Sequence, residues 1–182
     1  MPSYLDTLNQ LLSLGTIFLQ IVVVIIAVSL LFFRSYTNPI LIFFKKYGFY
    51  FGFLVAFGAV AISLFYSNVI GFPPCELCCV QRIFLYPQAI LFGMELYKRD
   101  RTMVDYSIAL ALVGSLVSIY HVYIENGGSS SLACANGLTH QISCATRYVY
   151  EFSYVTIPVM ALTVSVFIIA LLVNYKYMNK VQ

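Results

Sequence analysis

Five stretches of about twenty mainly apolar residues constrain what this chain can fold into more than any other feature. They cover approximately residues 14–33, 47–70, 79–97, 102–124 and 152–175. A helix rises 1.5 Å per residue, so about 20 residues cross roughly 30 Å of hydrocarbon. Most of the runs are apolar all round and none alternates with period two, which predicts helices rather than a lipid-facing barrel. Charged residues make up only 9% of the 182, against roughly 25% in a soluble globular domain. The predicted fold is an all-α integral membrane protein with five spans: a four-helix transmembrane bundle plus an extra N-terminal transmembrane helix.

The basic residues orient it. Arg34, Lys45 and Lys46 lie between runs one and two, Lys98, Arg99 and Arg101 between three and four, and Lys176 and Lys180 after five, which accounts for eight of the ten. The positive-inside rule makes those segments cytoplasmic. The N-terminus, the segment around Cys75 and the loop 125–151 are then outside, with Arg82 and Arg147 as the two departures from the bias. A net charge of +3 is too small to suggest nucleic acid. "MPSYLDTLNQ" has no basic n-region, and no small-residue cleavage site precedes Arg34, so the first run is expected to be a true helix and not a signal peptide. The connector "RSYTNPILIFFKKYG" is expected to rest at the cytoplasmic interface. Glu95 and Asp105 fall near cytoplasmic helix ends, where solvation suffices for a carboxylate.

All five cysteines fall at or beyond the outer surface, where an oxidising compartment permits disulfides. Cys75 and Cys78 form a CxxC just after Pro73 and Pro74, which stop any helix running through. The pair is therefore placed at or just before a helix N-terminus. Free backbone N–H groups and the helix dipole stabilise a thiolate there, and CxxC thiols in such places have pKa values of about 3.5–7.5. Arg82 lies four residues beyond Cys78, about 6 Å deeper along a helix on nearly the same face. It is placed to hold an anionic sulfur or acceptor, or else to snorkel to the headgroups. His121 lies at a comparable depth on the fourth run; alone it reads as a packing residue, and its interest comes from sharing that level with Arg82.

Cys134 and Cys144 enclose nine residues in a Gly- and Ser-rich loop. A structural staple is one reading; the exposure and mobility expected of such a loop favour an exchanging disulfide. Cys79 is expected to be a small buried apolar residue at the start of its helix. Haem attachment would need a histidine where Cys79 stands. A zinc site of Cys75, Cys78, Cys134 and Cys144 would have a nine-residue gap unlike the usual knuckle. A transporter would more typically carry intramembrane carboxylates or broken helices.

"PCELCCVQRIFLYP" resembles the Pro-Cys-x-x-Cys-x-x-Gln-Arg segment that opens a helix in the disulfide bond formation protein B (DsbB) family of thiol:quinone oxidoreductases, including its BdbC-like branch. "YHVYIE", the following loop cysteine pair and "YEFSYVTIP" extend the likeness over approximately residues 47–175. On this resemblance, residues 47–182 form the catalytic four-helix domain with its extracytoplasmic loop. Residues 1–46 are then an appended outer segment, helix and connector. The resemblance implies location in a bacterial cytoplasmic (inner) membrane and an electron relay. A DsbA-like thioredoxin-fold partner would be reoxidised by the Cys134/Cys144 pair, and that pair by Cys75 and Cys78, with electrons passing to a quinone (ubiquinone or menaquinone) from the membrane pool. It also implies that Cys75 exchanges with the loop and Cys78 faces the quinone ring. Arg82 would stabilise an anion there, with His121 near the same ring and Gln81 a lesser neighbour. No metal is implied. The N-terminal helix, Cys79 in place of a common aromatic, and the close spacing of the loop pair depart from the family pattern. In vitamin K epoxide reductase relatives, the competing redox reading, the loop pair precedes the CxxC instead of following it. A non-enzymatic membrane protein with stapling disulfides is the third reading.

Overall fold

Each apolar run folds as one helix, and capping residues that hydropathy does not register set where it ends. The computed structural model describes residues 3–32, 38–98, 102–128 and 144–180. Its helices are α1 (Ser3–Phe32), α2 (Pro39–Asn68), α3 (Glu76–Lys98), α4 (Met103–Glu125) and α5 (Ile157–Lys180). All five are long and apolar enough to cross a membrane, and the chain is a multi-pass helical membrane protein. Cys134 lies outside the described residues.

Four helix starts differ from expectation. α1 begins at Ser3 and not near residue 14. α2 begins eight residues early, so most of the expected interfacial connector is helix and the helix runs unbroken past Lys46. Asn38 explains this: its side chain accepts from the Ile40 N–H at 3.1 Å. Pro39 follows at the first helical position, where a missing N–H costs nothing. α3 begins at Glu76 instead of Cys79. α5 begins five residues late, because Phe152 and Ser153 take positive φ in a turn closed by an antiparallel bridge between Glu151 and Val155. The C-terminus of α4 is closed by Gly127 at φ 91, whose N–H donates to Ile124 O, a left-handed cap that suits glycine.

α2, α3, α4 and α5 form a closed ring, each packed on the next and α5 back on α2, while α1 lies outside it against α5 and, less extensively, α2. The ring's centre holds Ala56, Phe92, Ile168 and Leu172. Phe92 sits so closely over Gly52 that a Cβ there would come within 2.4 Å of its ring. A second cluster of Ile26, Phe167 and Leu171 joins α1 to α5.

The inner face of α3 is polar. Gln81, Gln88 and Glu95, seven residues apart, are all buried, since residues at that spacing share one side of a helix. Gln81 Nε2 donates to Ser118 Oγ at 3.1 Å and Gln88 Nε2 to Ser107 O at 2.8 Å, both on α4. Glu95 is thus buried, contrary to the solvated position expected of it. Pro87 lies inside α3, between the two glutamines. At the end of the bundle away from the cysteines, Lys176 pairs with Asp105 at 2.6 Å on the surface, and Lys45 donates to Met178 O near the end of α5.

Candidate active site at the cysteine end

Pro73 and Pro74 hold the chain extended, and the helix that follows takes a cysteine as its first cap. Cys75 O accepts from the Cys79 N–H at 3.1 Å, and Cys75 Sγ accepts from the Cys78 N–H at 3.3 Å. A thiol sulfur thereby fills the place usually held by Ser, Thr, Asp or Asn. The same cap brings the two side chains together: Cys75 Sγ donates to Cys78 Sγ at 2.8 Å, so joining them needs little movement.

The two thiols are not equivalent. Cys75 is buried, and its pKa is pushed up to about 12, first by donating to Cys78 and then by burial; a contact with His121 opposes the rise. The lowered pKa expected for a CxxC at a helix N-terminus therefore does not hold at Cys75. The proton stays on Cys75 and the sulfur of Cys78 is the acceptor.

His121 and Cys144 complete the Cys75 side. His121, 3% exposed, places Nε2 3.7 Å from Cys75 Sγ and 3.3 Å from Cys144 O. A carbonyl can only accept, so Nε2 carries the proton in the latter contact. Its Nδ1 is buried and without a hydrogen-bond partner among the described residues. Cys75, Ile124 and Cys144 form one buried cluster, with Tyr120, Leu77 and Cys78 against it. Arg147 holds the returning loop over this corner by donating to Glu125 O and Asn126 Oδ1, each at 2.9 Å. Its exception to the charge bias thus has a local cause, a cation on the exposed carbonyls at the end of α4. Thr156 Oγ1 donates to Glu125 Oε2 at 2.7 Å and ties the loop's far end to the same helix.

Cys78 touches this cluster and, unlike Cys75, also lines a cavity of about 620 Å³. Leu12, Gly15, Thr16 and Leu19 of α1 line it, with Leu54, Val55 and Gly58 of α2, Met160 and Val164 of α5, and Phe72 and Tyr148 from the loops. Cys78, Gln81 and Arg82 of α3 are among its polar lining residues, with Ser63 and Ser67 of α2. Arg82 points across to α2, where Nε donates to Ser63 Oγ at 2.8 Å and an Nη to Ser63 O at 3.1 Å, with a further bond to Ser67 Oγ. It is half-buried in the bundle. Sequence reasoning missed Ser63 and Ser67; their four-residue spacing on a helix was the available signal. His121 is not among the residues lining the cavity; its Nε2 sits on the Cys75 side, within 4.8 Å of the Cys78 sulfur. Cys79 is exposed where a buried residue was expected, because about 100° of helical turn per residue carries it from the inward side of Cys78 to the outer surface of α3.

As thiols, Cys75, Cys78 and His121 present ligand atoms all within 4.8 Å of one another. This soft donor set suits an ion such as zinc and is lost when the sulfurs join.

No solved structure matches the chain significantly. The family profile described as disulfide bond formation protein DsbB matches residues 45–175. The chain is 39% identical over 109 residues to the SPbeta prophage-derived disulfide bond formation protein B of Bacillus subtilis (strain 168), covering 60% of this chain and 71% of that one. It is 34% identical over 123 residues to disulfide bond formation protein C of the same strain, covering 66% and 86%. With a probable disulfide formation protein of Chlamydia pneumoniae it shares 33% over 134 residues, covering 74% and 95%. A capped CxxC backed by arginine, in a helical membrane bundle, thus coincides with a match over most of the chain: the protein belongs to the disulfide bond formation protein DsbB family.

Proposed function

We propose that the protein is a disulfide-forming dithiol:quinone oxidoreductase of a bacterial cytoplasmic membrane, its cysteines on the extracytoplasmic side. A thiolate of a DsbA-like thioredoxin-fold partner attacks the Cys134–Cys144 disulfide; the partner leaves oxidised and both loop cysteines become thiols. The loop dithiol then exchanges with the Cys75–Cys78 disulfide, which reforms the loop disulfide and reduces Cys75 and Cys78. Finally Cys75 and Cys78 close again as two electrons and two protons pass to a membrane quinone. When bound, the quinone supplies a two-electron, two-proton acceptor from the lipid phase, and each 30 mV by which its potential exceeds that of the dithiol adds about 1.4 kcal/mol of drive.

What supports this relay most directly is that one dithiol has two different sides. Cys75 lies beside His121 and the Cys144 backbone, while Cys78 opens on the apolar cavity. The residues there fit a quinone. The volume is within the roughly 300–1,000 Å³ typical of small-molecule sites, the walls suit a ring and an isoprenoid tail, and Arg82 offers a fixed cation held by two serines. His121 holds a proton at Nε2 next to the thiol that exchanges with the loop, so it serves the exchange step as an acid or base. Gln81 is bonded to Ser118 and positions the first turns of α3.

The test is anaerobic incubation of the purified protein with a reduced thioredoxin-fold dithiol and ubiquinone or menaquinone analogues, following quinone absorbance. Turnover that disappears in Cys78→Ser and Cys134→Ser is expected. A wild type that never reduces quinone, or variants that turn over normally, would overturn the relay.

A further inference from the structure

We propose that α1, which lies outside the matched family region, is a wall of the quinone chamber and helps determine how tightly a quinone is held. This inference rests on the function proposed above, and three independent observations carry it.

The first is placement. Leu12, Gly15, Thr16, Leu19 and Val22 line the cavity, and their spacing puts them on one stripe of a helix. The ring of α2 to α5 leaves this side to α1 to close.

The second is how α1 is held. A helix that merely touches lipid gains nothing from amides in its middle, since each needs a partner in hydrocarbon. α1 carries three amides: Gln10 is exposed near its start, while Asn9 and Gln20 are both engaged with other elements. Tyr66 of α2 donates to Asn9 Oδ1. Gln20 Nε2 donates to Thr163 Oγ1 of α5 at 3.1 Å, and Tyr154 from the loop before α5 donates to Gln20 Oε1 at 2.8 Å. Asn9, Ser13 and Thr16 are buried. Three separate elements thus hold α1 at one rotation, with its cavity-facing stripe turned inward.

The third is open space. A Cβ added at Gly15 of α1 or Gly58 of α2 would meet nothing within 4 Å, and both residues line the cavity. A side chain added at position 15 therefore starts from open space at the chamber wall.

The experiment compares Gly15→Phe with Val24→Phe, a change on the 59% exposed face of α1 that does not line the cavity. Binding is read without turnover, as the concentration of a short-chain ubiquinone that stabilises the purified protein against thermal unfolding. A photoactivatable benzoquinone, with labelled peptides mapped by mass spectrometry, gives a second readout. Gly15→Phe is expected to weaken binding and raise the quinone KM at least tenfold while leaving partner-to-loop thiol exchange unchanged. Val24→Phe should match wild type, and the photoprobe should label the 12–22 segment. If Gly15→Phe does not fold, Leu19→Ala, which removes a smaller part of the same wall and some packing against α5, should weaken binding severalfold in a protein whose folding is checked by its thermal unfolding. Wild-type affinity in a folded Gly15→Phe, or labelling that spares α1, overturns the inference and leaves the relay standing. A wild type that neither binds nor reduces quinone overturns both.

Discussion

Cys75 and Cys78 stand 2.8 Å apart and share one buried corner, yet only Cys78 also borders the chamber. Around Cys75 the neighbours are a buried histidine, the Cys144 backbone and the stitched end of the loop. Around Cys78 they are an apolar chamber and one arginine tethered to α2. The difference arises from three residues of chain: one cysteine caps a helix and the other sits in its first turn. A single dithiol can therefore serve an aqueous protein and a lipid-soluble carrier because only one of its two sulfurs borders the chamber while the other is buried under the loop.

The largest expected effect breaks the pair itself. Cys78→Ser should reduce quinone turnover below about one-thousandth of wild type, because a unit that acts together fails together. It should also accumulate a Cys75-to-loop mixed disulfide, visible by mass spectrometry under non-reducing conditions. Cys75→Ser should be equally inactive and accumulate none. If both variants trap the loop alike, the two sulfurs are interchangeable and the asymmetry is wrong.

Next in size is the chamber side. Arg82→Leu removes a fixed charge at the point where negative charge develops, a class of change that costs on the order of 10²-fold in rate. Quinone reduction should fall by that order while partner-to-loop exchange keeps its rate in stopped-flow measurements. Arg82→Lys should recover only part, since an ammonium cannot reproduce the planar fork that spans Ser63 and Ser67. On the other side, His121→Ala should slow loop-to-Cys75 exchange about tenfold or more and leave the quinone KM unchanged. A shift in KM instead would place His121 in the chamber.

The smallest effect concerns a proton. In the reduced protein Cys75 keeps its proton until the pH approaches about 12, so its alkylation, followed peptide by peptide, should stay slow through pH 9 and accelerate only above it. A raised thiol pKa means the neutral form persists to higher pH, and its main cause is the bond to Cys78. Cys78→Ala removes that cause, and the alkylation midpoint of Cys75 should move to lower pH. An unchanged midpoint would make burial the dominant cause.

Much of this site was legible in the sequence and some could not have been. Spans are written in long apolar runs, and Pro73, Pro74, Cys75, Cys78 and Arg82 are close enough in sequence for helical geometry to relate them. Ser63 and Ser67, the inward face of Glu95 and the seating of α1 depend on how helices rotate against one another. In lipid nearly every face is apolar, so composition does not say which side turns inward. Helix ends were missed for another reason, since Asn38 and the positive-φ turn at Phe152 act through backbone groups that hydropathy does not see. Cys144 meets Cys75 across more than sixty residues, and Cys134 stands outside the described residues.

The two glutamines of α3 have a mechanical consequence. Pro87 deprives the helix of one rung of its ladder and makes it a natural place to flex, yet Gln81 is pinned to Ser118 on one side of it and Gln88 to Ser107 on the other. A twist at that joint would strain both pins at once. Cys78, one turn above the upper pin, therefore inherits its aim from α4 and not from the lipid around α3. The direction in which its sulfur points is set by torsional stiffness in the shaft beneath it.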